Sequence, residues 1–406
     1  MSRPRALGTR EFAPALRILV ALLSLAAASL PSLAEEKGPR REGFQQLAQQ
    51  AVEAQRQGQG EQAIRLYLRA LRLRPEWPEG WRSVGVLLAD RKEYARAEAA
   101  FQNLLDIEPK NGAGWALLGL CEYEQGRYGE AYKHIQQGQT LGIGNPDLEK
   151  VATFHTALMA IQKGDFQLAR SLLVRLARSG VDDPDLVAAF GLAALRIAKS
   201  PEQLGAEQKS LVDRVGQIEL PARHMQVPEV VAAYEKLLAE LPQTPGLHYA
   251  FGDFLASAGQ YDRAIEEMKN ELRLNPDDVL AMVQVALDYL SANQAEQALP
   301  YAEKAVHLAP QLFATHYVWG WTLYRNGQND RAIPELERAV KLEPDSARAH
   351  YSLSQAYLRA GRKADADRER DVFARLSQKT TPPGAAMGGR EYSGTPSENL
   401  PSPPEP

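Results

Sequence analysis

A proline recurs every 34 residues along the C-terminal half of the chain, at Pro242, Pro276, Pro310 and Pro344. Pro75 and Pro109 keep the same spacing upstream. A small residue precedes these prolines at a constant offset: Ala63, Ala97, Ala264, Ala298 and Ala332. A fixed period of this length marks stacked copies of one supersecondary unit rather than a single globular core. Each copy packs only on its neighbours, so the 406 residues need no common centre. Such a stack presents an extended surface for binding and has no built-in place for catalysis.

The N-terminus reads as an export signal. Arg3, Arg5, Arg10 and Arg17 form a basic region, Ile18 to Leu30 is an uncharged and mostly apolar run, and Ser32-Leu33-Ala34 supplies small residues before a cut at Glu35. The apolar run is shorter than the roughly 20 residues that a spanning helix needs. An uncleaved N-terminus that anchors the chain in an inner membrane is the alternative. Loss of residues 1–34 removes four arginines and one glutamate and takes the net charge from −4 to −7. A surplus of that sign argues against nucleic acid as a partner and against simple attachment to anionic lipid. Cys121 is the only cysteine, so no internal disulfide can form and the lone thiol reads as a small buried apolar residue. None of the nine asparagines sits in an Asn-x-Ser/Thr acceptor, which favours a bacterial envelope over a eukaryotic secretory lumen.

Each 34-residue period reads as two helices. In 78–111, Trp81, Val84, Gly85 and Leu88 share one face of a first helix, and Asp90 to Glu93 make a turn. Tyr94, Ala97, Phe101 and Leu104 line a second helix that stops before Pro109. Gly85 and Ala97 are small so that the two helices can approach closely. These residues resemble the tetratricopeptide repeat, with Trp81, Val84-Gly85, Leu88, Ala97, Phe101, Leu104 and Pro109 at its pattern positions. Trp319-Gly320, Leu323, Ala332, Leu336, Ala339 and Pro344 match in 313–346. Phe251-Gly252, Leu255, Ala264 and Pro276 match in 245–278, and Trp115, Leu118-Gly119 and Ala131 in 112–145. The resemblance implies an all-α fold, a right-handed superhelical solenoid of about nine to ten antiparallel helix pairs. The expected organisation is a signal peptide (1–34), a linker (35–43), an N-terminal array (44–198), an irregular helical connection (199–227) and a C-terminal array (228–380). A disordered Pro-rich tail (381–406) completes it. Pro300 and Pro334 are expected near the starts of second helices, where no backbone hydrogen bond is lost.

No Gly-rich phosphate loop, His-Glu-x-x-His, Gly-x-Ser-x-Gly or paired-cysteine motif occurs. No catalytic residue, metal site or cofactor is therefore expected. His248, His316 and His350 share repeat position 4 but sit too far apart to converge on one zinc ion, and they read as packing residues in place of the usual aromatic. The acidic pairs Asp182-Asp183 and Asp277-Asp278 suit the N-termini of first helices.

The resemblance implies that positions 2, 5, 6, 9, 12 and 13 of each first helix face a concave groove. In the C-terminal array these are Tyr249, Asp253, Gln284, Tyr317, Trp321, Tyr324, Arg325, Arg348, Tyr351, Gln355 and Arg359. Tyr, Trp and Arg are the residues that binding hot spots use, and exposed aromatics in a concavity need a reason. In the N-terminal array the same positions are apolar, among them Ala113, Leu117, Leu120, Phe154, Leu158 and Ile161. Some members of the family clamp a partner's C-terminal carboxylate with Asn and Lys or Arg. Glu79, Ser83, Ala113 and Leu117 stand at the matching positions, so that clamp is missing.

The sequence thus leads to a non-catalytic scaffold, in an envelope complex, that binds a protein or peptide partner in its groove. No nucleic acid and no transmembrane span in the mature chain are expected. A carbohydrate-binding or polymer-assembly subunit is the second reading, since aromatic platforms also stack on sugars. N-terminal sequencing of the protein recovered from an envelope fraction is expected to begin at Glu35. Recovery of an intact Met1 would instead support the anchored form.

Overall fold

The computed structural model describes residues 39–179, 183–220 and 226–380. The expected signal peptide and the Pro-rich tail lie outside the described residues. Every regular element among the described residues is a helix. The chain divides into two compact units. The first runs through Ala193 and takes in Ile197–Lys209, and the second comprises Ala194–Arg196 and the chain from Ser210.

The first unit stacks four helix pairs: α1 (Pro39–Arg56) with α2 (Gly60–Leu73), α3 (Pro78–Asp90) with α4 (Tyr94–Ile107), α5 (Gly112–Glu124) with α6 (Tyr128–Leu141), and α7 (Pro146–Lys163) with α8 (Phe166–Arg178). Helix α9 (Pro184–Ala194) follows, and then a short 3₁₀ turn, Pro201–Gln203. Helix α10 (Ala206–Glu219) carries the chain into the second unit, where the Tyr234 hydroxyl of α11 (Val227–Glu240) donates to buried Glu219 at 2.5 Å. The second unit continues with α12 (Leu247–Ser257) and α13 (Tyr261–Leu274), α14 (Val279–Ser291) and α15 (Ala295–Leu308), α16 (Phe313–Arg325) and α17 (Asn329–Leu342), and α18 (Ala347–Arg359) and α19 (Lys363–Thr380).

The pairing follows from the small residues. Ala63, Ala97, Ala131, Ala264, Ala298 and Ala332 on the second helices are all fully buried. In two pairs the glycine of the first helix comes up against the carbonyl of this alanine, Gly119 at Ala131 and Gly252 at Ala264. A Cβ built on Gly119 would lie 2.8 Å from the Ala131 carbonyl oxygen and 2.8 Å from Ile135. Within each pair the turn is closed by one residue in the left-handed region, glycine in most repeats but Lys92 (φ 61) and Asn293 (φ 60) in two.

Side-chain caps then start several first helices. Asn111 accepts from the Gly114 amide, Asn145 from Leu148 and Asp278 from Ala281. Asp278 does two jobs, because it also takes a two-pronged ion pair from Arg196. The Arg196 guanidinium lies 3.6 Å from the centroid of the Tyr249 ring. Burial opposes the Asp278 charge, but the Arg196 hydrogen bond and charge outweigh it and hold the carboxyl below its usual range. Buried Glu271 receives the Gly246 amide on both oxygens at 2.9 Å. These contacts fasten residues 194–196 to the start of the second unit's repeats.

Two expectations change, the start of the first helix and the place of two prolines. The first helix begins at Pro39 rather than near Phe44, which suits proline because the first turn has no backbone donor to lose. The stretch 199–227, expected as an irregular helical connection, holds a 3₁₀ turn and the 14-residue helix α10. Pro300 and Pro334 are each the sixth residue of their helix, where an amide would have bonded the carbonyl four residues back. Both prolines are exposed, so water can reach the carbonyls they leave unpaired.

The glycine contacts give a graded test. Gly119→Ala is expected to destabilise the fold by about 1–3 kcal/mol, because a backbone carbonyl must move. Gly252→Ala meets mainly the flexible end of Met268 at 3.1 Å. There the gain in helix propensity, about 1 kcal/mol, offsets the crowding. Urea unfolding of both variants checks the order.

Candidate partner-binding site

The first helices of the second unit, α12, α14, α16 and α18, carry all the groove residues that the sequence singled out. The structure sorts them into two groups. Tyr317, Tyr324 and Gln284 are buried, with 3%, 6% and 5% of their surface exposed. Tyr249, Asp253, Trp321, Arg325, Tyr351 and Gln355 are half-buried. The expected platform of exposed aromatics is therefore corrected. Neighbouring first helices pack side by side, and position-5 and position-12 rings fill the seam between them because it is the driest place available to a large flat side chain.

The seam is ordered by ring contacts. Tyr317 stacks on Phe313 at 5.7 Å between centroids, and Trp321 on Tyr324 at 4.8 Å. Arginines of the next repeat then cover the rings. Arg348 lies 5.3 Å over Tyr317 and Arg359 4.2 Å over Tyr324. Arg359 also donates to the Tyr324 carbonyl at 3.3 Å, and Arg325 donates to Asn293 at 2.8 Å. Tyr351 is tilted against Phe373 of α19 at 5.4 Å. A guanidinium laid on an aromatic face uses its π surface and leaves in-plane N–H groups at its edge to bond a carboxylate.

Charge sharpens the picture. The sequences of α16 and α18 hold Arg325, Arg348 and Arg359 and not one aspartate or glutamate. This is unusual in a chain with net charge −4. The neighbouring helix α14 has one acid, Asp288, which is 2% exposed. Its Oδ1 accepts from Gln284 at 2.8 Å, while Oδ2 meets no hydrogen-bond donor among the described residues. Burial drives the Asp288 carboxyl well above the usual aspartate range, against the opposing Gln284 hydrogen bond. Its favoured state in the fold is the neutral acid.

The first unit offers less at the same helix positions. Leu117, Leu120, Phe154, Leu158 and Ile161 are all buried. Cys121 is buried too, and burial together with Glu98, Glu124 and Glu122 pushes its thiol far up, so it is no nucleophile. A polar groove on α1 and α2 is lined chiefly by Gln46, Gln49, Gln50, Gln57, Gln59 and Gln62. Among the described residues no cluster of His, Cys, Asp and Glu could hold a metal ion. Among them, too, no helix is long and apolar enough to cross a membrane.

Sequence profiles of the tetratricopeptide repeat match residues 49–112, 249–313 and 317–367, and a second profile of the same repeat matches 88–140. The chain is a tetratricopeptide-repeat protein. The repeats cover the helix pairs that carry the seam described above. Among solved structures, MamA from Desulfovibrio magneticus RS-1 (residues 41 to the end) is 22% identical, over 42% of this chain and 96% of that one, with a TM-score of 0.38. YrrB, described as a TPR protein with an unusual peptide-binding site, is 18% identical over 41% of this chain and 87% of that one, with a TM-score of 0.36. MamA from MSR-1 covers 58% of this chain and 99% of that one at 14% identity, with a TM-score of 0.30. No curated protein matches the chain.

The buried acid gives a pH test for this tetratricopeptide array. A carboxyl whose pKa is raised by folding stabilises most below its unfolded value, about 3.9. That stability is lost as pH rises from there through the folded value. Asp288→Asn keeps the shape and removes the titration. The variant is expected to gain about 1–3 kcal/mol over the wild type at pH 7.5. The gap should narrow at pH 4.5. Thermal unfolding at the two pH values measures both.

Proposed function

We propose that this tetratricopeptide-repeat protein is a non-catalytic scaffold of the cell envelope that binds an acidic segment of a partner protein. The contact surface is the first-helix face of the second unit. One observation carries the reading: three arginines stand on α16 and α18 with no carboxylate on either helix. Two of them, Arg348 and Arg359, are held on tyrosine rings, and Arg325 is held by Asn293. Their position is fixed before a ligand arrives, which lowers the ordering cost of binding. Half-buried Trp321, Tyr249 and Tyr351 lie on the same series of first helices and supply area for apolar side chains of the partner. Asp253 and Gln355 offer polar contacts at the same repeat position as Trp321. Tyr317 and Tyr324 act underneath, as the layer that holds Arg348, Arg359 and Trp321 in place, while Gln284 is buried against Asp288. The envelope setting rests on the N-terminal pattern of basic residues, apolar run and small residues.

The test is a binding titration by fluorescence anisotropy with extended peptides of matched length and differing charge. Acidic peptides are expected to bind, and to weaken as salt is raised. Arg348→Ala combined with Arg359→Ala should weaken them about tenfold or more while the helical circular-dichroism signal is kept. Binding that ignores peptide charge, or survives the double substitution, would sink the assignment.

A further inference from the structure

Position 4 of the first helix bonds the carbonyl of the proline that ended the previous repeat. In the first unit an indole N–H makes this bond, from Trp81 to the Pro75 oxygen at 2.7 Å and from Trp115 to Pro109 at 2.9 Å. In the second unit a histidine takes its place. Nε2 of His248, His316 and His350 lies 3.2, 2.8 and 2.9 Å from the carbonyl oxygens of Pro242, Pro310 and Pro344. Each histidine has a further contact that an indole, with one nitrogen, could not make. Nδ1 faces a carboxylate from the second helix of its own repeat: Glu267 at 2.7 Å, Glu335 at 2.6 Å and Glu369 at 2.5 Å.

Both partners are acceptors. A carbonyl oxygen cannot donate, and a carboxylate oxygen cannot either. One imidazole can serve both only when both of its nitrogens carry hydrogen. Moving that hydrogen onto the carboxyl group leaves the count unchanged, because the histidine–glutamate pair as a whole still holds it. When the pair loses it, a nitrogen lone pair is turned on an oxygen lone pair and one of the two bonds fails. His155 of the first unit shows the contrasting case. It is buried with its Nδ1 on the Val151 carbonyl, a contact that needs a single N–H, and burial lowers its pKa to about 4.

We infer that the three histidine–glutamate pairs are proton-dependent staples between repeats of the second unit. Protonated, each joins three helices: the one that ends before the proline, the one that bears the histidine and the one that bears the glutamate. On deprotonation the joint loosens. The tryptophan joints of the first unit make the same proline contact with a group that does not titrate. None of the arginines of the proposed partner surface takes part in these joints.

Carboxylates of the second helices face each ring. Glu267 and Glu271 of α13 both face His248, and Asn270 holds Glu267 at 3.5 Å. Glu335 of α17 faces His316. Glu369 of α19 faces His350, with the Tyr357 phenol of α18 also beside Glu369. For His248, burial opposes the charged ring, but the Glu267 hydrogen bond, the Pro242 carbonyl and the charges of Glu267 and Glu271 outweigh it, so its pKa is raised above 6.5. A histidine raised by folding contributes its full stability below the unfolded value, about 6.5, and loses it as pH climbs through the folded value.

Hydrogen exchange of the intact chain, followed by mass spectrometry and corrected for the intrinsic pH dependence, reads each unit separately. Between pH 6 and pH 8.5 the amides of α12, α13 and α16–α19 are expected to exchange about fivefold faster or more, the change that loss of one hydrogen bond brings. The amides of α3 and α4, where no histidine pairs with a carboxylate among the described residues, should hold. Glu335→Gln with Glu369→Gln removes the carboxylates, and the rise in α16–α19 should shrink while that in α12–α13 persists. An equal rise in both units, no rise in either, or a rise that the double substitution leaves unchanged would overturn the inference. The wild-type comparison decides even if the variant does not fold.

Discussion

The constraint on which the rest depends is the close approach of two helices at small residues. Ala97, Ala131, Ala264 and Ala332 are fully buried, and no larger side chain would let the pair meet at the same distance. Once the pair is that close, the remaining large residues have few places to go. Phe101 fills the gap beside Gly85, and Ile135 and Leu336 do the same beside Gly119 and Gly320. The apolar face of each pair can then be covered only by the next pair. Helix α14 shows the outcome in extreme form, with every residue from Ala281 to Leu290 buried. A helix covered on all sides has to be apolar all round, which is why burial drives the carboxyl of Asp288, in its middle, well above the usual aspartate range.

The two units apply one architecture with different chemistry at the same places. Where α5 and α7 of the first unit carry Leu117, Leu120 and Leu158, α16 and α18 of the second carry tyrosine, tryptophan and arginine. Where the first unit closes its joints with indole, the second uses imidazole and a carboxylate. Neither change alters the small-residue contact that closes each pair, since Ala264, Ala298 and Ala332 stay fully buried. Repeat proteins can vary in this way since each repeat answers only to its neighbours.

The helix pairs were legible in the sequence because the 34-residue period carries its own register: Gly85, Ala97 and Pro109 name a first helix, a second helix and a stop. The depth of the aromatic residues was not legible. Position in the repeat says which way Tyr317 and Tyr324 point, while burial depends on what the next repeat brings, here Arg348 and Arg359. Pro300 and Pro334 were misplaced because counting from the repeat start does not locate the helix start, which the turn before it decides. The glutamate partners of the histidines could have been found. A proline six residues before and a glutamate 19 residues after recur at His248, His316 and His350. The Asp277-Asp278 pair marked a helix start, but nothing in the sequence pointed to the pairing of Asp278 with Arg196, which meet across 82 residues.

The proline-to-position-4 bond spans only six residues of chain. Its two ends are therefore neighbours from the moment they are made. A chain emerging from a ribosome or threading through an export pore can close each such joint as soon as the next first helix is clear, without waiting for its C-terminus. Contacts this local entail little loop closure and form early. The molecule can be assembled one repeat at a time from the end that appears first, with each finished pair serving as the template on which the next one settles.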